Sequence, residues 1–148
     1  KKLKIHFIGA LQSKKVKDVI NQFNVIETLD TQSSAKKIAN LNLNCKPQPK
    51  LFIQINLGEE TQKRGIKSSD TESFLKMCRE QYKLTISGAM TIPPKSESPE
   101  KYFLALKNIC EKNNLKEVSM GMSDDYEKAI ELGSTNIRIG TILFGKRN

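Results

Sequence analysis

Ser119-Met120-Gly121-Met122-Ser123-Asp124-Asp125, followed by Arg138-Ile139-Gly140-Thr141, decides how this chain is read. Each run ends an apolar, strand-like segment and offers small residues whose backbone N–H groups can meet an anion. A helix pattern opens directly at Ser123, and the positive end of a helix attracts phosphate. The two loops read as halves of one phosphate cradle, with Arg138 projecting beside it from the second strand. That combination points to a phosphorylated ligand in an α/β fold.

Outward from these loops, strand and helix patterns alternate along the whole chain. Strands are predicted over residues 5–9, 25–29, 51–56, 84–92, 117–120 and 136–144. Val16, Val19, Ile20 and Phe23 recur at the spacing of one helix face, and Ala35, Ile38 and Ala39 mark a second helix. Ser69-Asp70-Thr71-Glu72 has the spacing of a capping box ahead of a helix carrying Phe74, Leu75, Cys78 and Tyr82. Ser98-Pro99 reads as an N-cap followed by proline at the first helical position, ahead of Tyr102, Phe103, Leu106, Ile109 and Cys110. The last helix runs over 124–132 and closes at Gly133. A polar connection spans 44–50, and a glycine- and charge-rich loop spans 58–65. Six strands and five helices in βα order mean a parallel sheet, doubly wound or a barrel. Ligands gather at the C-terminal strand ends of either fold, where both glycine runs fall. If the fold is an eight-stranded barrel, its first two βα units lie upstream of Lys1.

Composition narrows the function. The 148 residues form one domain, 1–148, with 37% hydrophobic residues and no Trp. No apolar run reaches the length of a membrane span, so no membrane partner is expected. The net charge is +9. Its lysines are scattered over every helix, without a dense basic run or interleaved aromatics, so a nucleic-acid partner is not expected either. Cys45, Cys78 and Cys110 fit neither a disulfide framework nor a zinc pattern and read as reduced thiols of a cytoplasmic protein. Cys78 and Cys110 fall on apolar helix faces and read as core residues.

The candidate site residues each carry an alternative. Ser123 is either a phosphate ligand or an ordinary N-cap serine. Gly140 either lets a ligand approach the backbone or bends a closing sheet, and Thr141 adds a hydroxyl. Strand alternation puts Arg138 and Gly140 on one face, and an inward arginine needs an acidic partner or an anion. His6, the one histidine, reads as hydrogen-bonded structure in preference to a catalyst. Lys63 sits in a loop at a strand's C-terminal end, solvated or lining the site. No serine–histidine–acid set and no metal-ligand cluster is legible.

At these residues the chain resembles the pyridoxal 5′-phosphate homeostasis proteins, the YggS/PROSC family. The matching elements are His6-Phe7-Ile8-Gly9 with Leu11-Gln12-Ser13, Ile53-Gln54-Ile55-Asn56, Gly65-Ile66, and Gly88, Met90, Ile92 and Pro93. They continue with the 119–125 run, Gly133-Ser134-Thr135, Arg138-Ile139-Gly140-Thr141 and Phe144-Gly145. The resemblance implies a (β/α)8 TIM-type barrel like the N-terminal domain of alanine racemase, here about six of its eight βα units. It also implies pyridoxal phosphate as cofactor, with Ser123, Gly140 and Thr141 on the phosphate, Arg138 facing the pyridine nitrogen, and Lys63 a secondary candidate. Arginine stays protonated and disfavours a pyridinium, which weakens the ring as an electron sink.

The implied role is therefore buffering and delivery of the cofactor, to pyridoxal phosphate-dependent apoenzymes, without robust catalysis. The rival is a racemase-like enzyme of the same barrel. It needs a second acid/base opposite the cofactor, and Tyr82, Tyr102 and Tyr126 fall on helix patterns away from the strand ends. Relatives of the resembled family carry their Schiff-base lysine on a first strand that has no counterpart here. Lys14 stands where Asn is usual in that family, and Ala10 where Pro is common. The full-length form is expected to be a monomer.

Overall fold

The computed structural model describes residues 3–41 and 48–145. Cys45 and most of the 44–50 connection lie outside the described residues. Six strands form the main sheet: β1 (His6–Phe7), β2 (Val25–Leu29), β3 (Lys50–Asn56), β5 (Ile86–Met90), β6 (Glu117–Met122) and β7 (Asn136–Arg138). They lie side by side in that order, every neighbour parallel. A seventh strand, β4 (Ile66–Lys67), pairs only with the end of β3. Sequential parallel neighbours with a helix in each crossover make this a partial (β/α) barrel, the architecture expected from the alternating pattern.

β2 and β3 carry the apolar runs because both of their faces are covered. All five residues of β2 are buried. On the outer face Ile26, Ile53, Ile55, Ala89, Val118 and Met120 meet the helices. These are α1 (Val16–Gln22), α2 (Gln32–Asn40), α3 (Thr71–Lys76), α4 (Glu100–Lys112) and α5 (Tyr126–Glu131). α4 shows the logic: Tyr102, Phe103, Leu106 and Cys110 return every three or four residues and are buried together. Cys78 and Cys110 are buried, as predicted, and burial pushes each thiol up to about 11.

Several boundaries differ from the sequence reading. β6 runs on through Gly121 and Met122, and α5 begins at Tyr126. Ser123 is therefore not the N-cap. Asp125 occupies that position and turns its carboxylate back to accept the Met122 N–H at 2.6 Å. The last strand ends at Arg138; Thr141–Phe144 is a short helical turn, α6, whose Leu143 and Phe144 amides donate to the Gly140 carbonyl at 2.9 Å. Local bonding satisfies that backbone without a strand partner, although Thr-Ile-Leu-Phe is apolar enough to mimic a strand. Ser69 forms no capping box: Ser68–Asp70 is a 3₁₀ turn and the Ser69 hydroxyl bonds Asp70. α4 begins one residue past Pro99, whose carbonyl takes the Tyr102 and Phe103 amides, so Ser98 is not its cap. β4 is too short to carry a periodic signal.

Candidate functional site

The C-terminal ends of β6 and β7 set the site. Pairing of Ser119 with Asn136 and of Met122 with Arg138 brings the two glycine runs together, with a register shift between the pairs. The shift falls where Gly121 adopts φ +93°, a left-handed conformation that side chains resist. A Cβ there would also stand 2.5 Å from the Ala129 methyl carbon. The chain thus bends at Gly121 and presents Ser123 toward the β7 end.

There the backbone amides of Gly140 and Ile142 both point at the Ser123 hydroxyl oxygen, at 3.3 and 3.4 Å. A Cβ on Gly140 would meet nothing within 4 Å. The space in front of Gly140 belongs to an open cleft of about 820 Å³ lined by Lys95, Met122, Ser123, Asp124, Arg138, Gly140, Thr141, Phe144 and Gly145. Converging amides, a hydroxyl and unfilled space suit a phosphate group. Four of the predicted site residues, Ser123, Arg138, Gly140 and Thr141, line this one cleft.

Arg138 lies on the concave face with its Nη1 donating to the Ser119 hydroxyl at 2.6 Å and its Nη2 to the Thr91 carbonyl at 2.8 Å. Burial draws its guanidinium below the ordinary value, opposed by the negative charge of Glu27 and Asp125. An arginine lowered from so high a starting point still carries its charge at neutral pH. These two bonds use two of its five N–H donors. The acidic partner that an inward arginine requires is Glu27, reached through Ser119.

Lys63, the fifth candidate, does not line this cleft. It lines a smaller hollow of about 270 Å³ with Gln54, Ile55, Gln62, Arg64 and Ile92. Its ammonium donates to the Pro93 carbonyl at 3.1 Å and pairs with the Glu60 carboxylate at 2.5 Å. The loop that carries it is ordered from below. Asn56 Nδ2 donates to the carbonyls of Glu60 and Lys63, Gln54 Nε2 to that of Arg64, and Arg64 forks onto Asp30 at 2.9 and 2.8 Å.

Two contributors, Lys95 and Glu27, lie outside the sequence reading. Lys95 follows a Pro-Pro pair in a loop without periodicity, and only the fold turns it toward the cleft. Asp124 lines the cleft as well, and Asp125 points away from it. Glu27 had a signal, a lone carboxylate inside the apolar run Val25-Ile26-Glu27-Thr28-Leu29. Tyr126 opens α5 beside Ser123 and Asp124, nearer the strand ends than its helical pattern suggests, with its hydroxyl donating to Glu127 at 3.2 Å. Among the described residues no cluster of His, Cys, Asp or Glu is arranged to hold a metal ion, and no helix is long and apolar enough to cross a membrane.

Known proteins share both sequence and geometry with this chain. The family model of the alanine racemase N-terminal domain matches residues 1–148. The pyridoxal phosphate homeostasis protein of Aquifex aeolicus is 36% identical over 154 residues, covering 98% of this chain and 68% of the relative. The structure of PipY from Synechococcus elongatus with pyridoxal phosphate bound superposes with a TM-score of 0.81 at 28% identity, covering 98% of this chain and 72% of that one. Alanine racemase from Corynebacterium glutamicum, at 12% identity and a TM-score of 0.69 over 93% of this chain and 40% of that one, shares the fold alone. With a matching family model over its whole length and a relative more than a third identical, the chain belongs to the alanine racemase N-terminal domain family, and within it to the pyridoxal phosphate homeostasis proteins.

Proposed function

We propose that this chain binds pyridoxal 5′-phosphate and serves cofactor homeostasis, buffering the cofactor and passing it to apoenzymes in the cytoplasm. One observation carries the reading: the Gly140 and Ile142 amides converge with the Ser123 hydroxyl at the edge of a cleft into which Arg138 projects. Ser123, Gly140 and Thr141 hold the phosphate. Lys95 adds positive charge on the same wall.

Arg138 then faces the ring nitrogen. Its guanidinium donates and cannot accept a proton, so it holds that nitrogen unprotonated. When bound, the cofactor supplies an aldehyde and an electron-accepting ring, and an unprotonated ring accepts electrons less readily. The names of the relatives, which denote homeostasis, support a carrier over a catalyst. Lys63 lies in the smaller hollow, its ammonium committed to Glu60 and the Pro93 carbonyl. The racemase-like alternative asks for an acid/base on the far side of the ring; Tyr126 lies beside Ser123 and Asp124, and its hydroxyl is bound to Glu127.

Equilibrium dialysis against pyridoxal phosphate, with inorganic phosphate as competitor, tests the reading, joined to an assay of alanine racemisation. Saturable binding displaced by phosphate, without interconversion of D- and L-alanine, is the expected result. Turnover would favour the racemase alternative, and failure to bind would sink the cofactor assignment.

A further inference from the structure

Glu27 is a buried carboxylate, 2% exposed, in the middle of β2. Both of its oxygens are taken. Oε1 lies 2.6 Å from His6 Nδ1 and Oε2 lies 2.5 Å from the Ser119 hydroxyl. The same hydroxyl accepts from Arg138 Nη1 at 2.6 Å. A chain of hydrogen bonds therefore crosses the concave face from β1 through β2 and β6 to β7.

The direction of every link follows from donor chemistry. Arginine has donors only, so Ser119 must accept from it, and the one hydroxyl proton goes to Glu27. Glu27 is then an acceptor on both sides, which assigns the Nδ1 hydrogen to His6. A carboxylate in this place does two things. Its charge supports the buried guanidinium, and its acceptor geometry locks the Ser119 hydroxyl that orients Nη1. The Thr91 carbonyl fixes Nη2 from the other side.

We propose that Glu27 is a positioning residue for ring recognition: through Ser119 it sets the angle at which Arg138 presents its remaining donors to a nitrogen heteroaromatic phosphate in the cleft. The inference rests on the reading that this cleft takes pyridoxal phosphate. Glu27 lies away from the phosphate cradle, so its influence falls on the ring and leaves the phosphate contacts intact. A glutamine in its place must turn either its amide N–H₂ toward Ser119, where a donor now opposes a donor, or the same group toward the His6 hydrogen. One link reverses in either case.

The test compares two ligands by calorimetry on the full chain. Pyridoxine 5′-phosphate keeps the ring nitrogen and lacks the aldehyde that reacts with lysines, and benzyl phosphate has no ring nitrogen. Glu27→Gln is expected to weaken pyridoxine 5′-phosphate about tenfold and to leave benzyl phosphate within about twofold. Ser119→Ala removes the relay without changing charge and carries the same expectation, which keeps the test alive if Glu27→Gln does not fold. Equal losses for both ligands, or no loss for either, would overturn the positioning role. A wild-type chain that binds both ligands equally, or neither, overturns the ring-recognition reading itself and this inference with it.

Discussion

The Gly140 amide donates to the Ser123 hydroxyl at 3.3 Å across a separation of 17 residues in the chain. Parallel pairing of β6 with β7 supplies the closeness, and the kink at Gly121 supplies the aim. Neither residue makes a site alone. Their contact marks where two helix- and turn-forming loops expose amides to one open space.

Gly140 separates binding from folding. Its φ of −127° lies outside the left-handed region, and a Cβ there meets nothing within 4 Å. Gly140→Ala should leave the melting temperature within about 2 °C of wild type. The added methyl group enters the cleft, so affinity for a phosphate ligand should fall about tenfold or more. Calorimetric titration beside thermal melting checks both halves; an unchanged affinity would move the phosphate elsewhere.

Gly121 makes the opposite case. At φ +93° with a Cβ placed 2.5 Å from Ala129, Gly121→Ala carries backbone strain and a clash against α5. We expect a loss of about 2–4 kcal/mol in urea unfolding. A loss under about 0.5 kcal/mol, the range of ordinary surface changes, would show that the bend is dispensable.

The sequence made the alternation, the strand cores and the grouping of Ser123, Arg138, Gly140 and Thr141 legible, because period and glycine placement are local signals. What it hid was non-local. Ser123 looked like a helix cap, yet Asp125 reaches back to Met122 and delays α5 to Tyr126. Residues 141–144 looked like strand because apolarity alone does not distinguish a strand from a helical turn. Glu27 gained meaning only when Ser119 and Arg138, from strands far along the chain, closed on it. Lys63 sits in a loop that follows β3, and there it pairs with Glu60 and lines a hollow separate from the cleft.

The thiols give a prediction in pH. Burial raises Cys78 and Cys110 to about 11, so both stay protonated and unreactive well above neutrality in the folded chain. The unfolded thiols ionise near their ordinary value, below the folded ones. These two residues therefore cost no stability below about pH 8.5 and progressively destabilise the fold as pH rises toward about 11. Alkylation with iodoacetamide at pH 8, mapped by peptide mass spectrometry, should label both sites only after denaturation. Rapid native labelling of either would contradict their burial.

The loop over 58–65 hangs on Asp30, whose side chain is 4% exposed and receives both Arg64 donors. Asp30→Ala removes that fork while the bonds from Gln54 and Asn56 remain. Half-exposed Arg64 limits the effect to about 1 kcal/mol, roughly a fivefold rise in loop opening. Trypsin should cut after Lys63 or Arg64 about fivefold faster in the variant, with little change in the melting temperature. Equal cleavage rates would mean the fork does not restrain the loop.

The most direct test of the account is a titration of the ¹⁵N-labelled chain with pyridoxal 5′-phosphate, followed residue by residue through the backbone amides. We expect saturable shifts that are largest at Ser123, Gly140, Thr141 and Ile142, with Arg138 next. Shifts centred on residues 62–64, scattered over the lysines, or absent altogether would contradict the assignment of this cleft as the cofactor site.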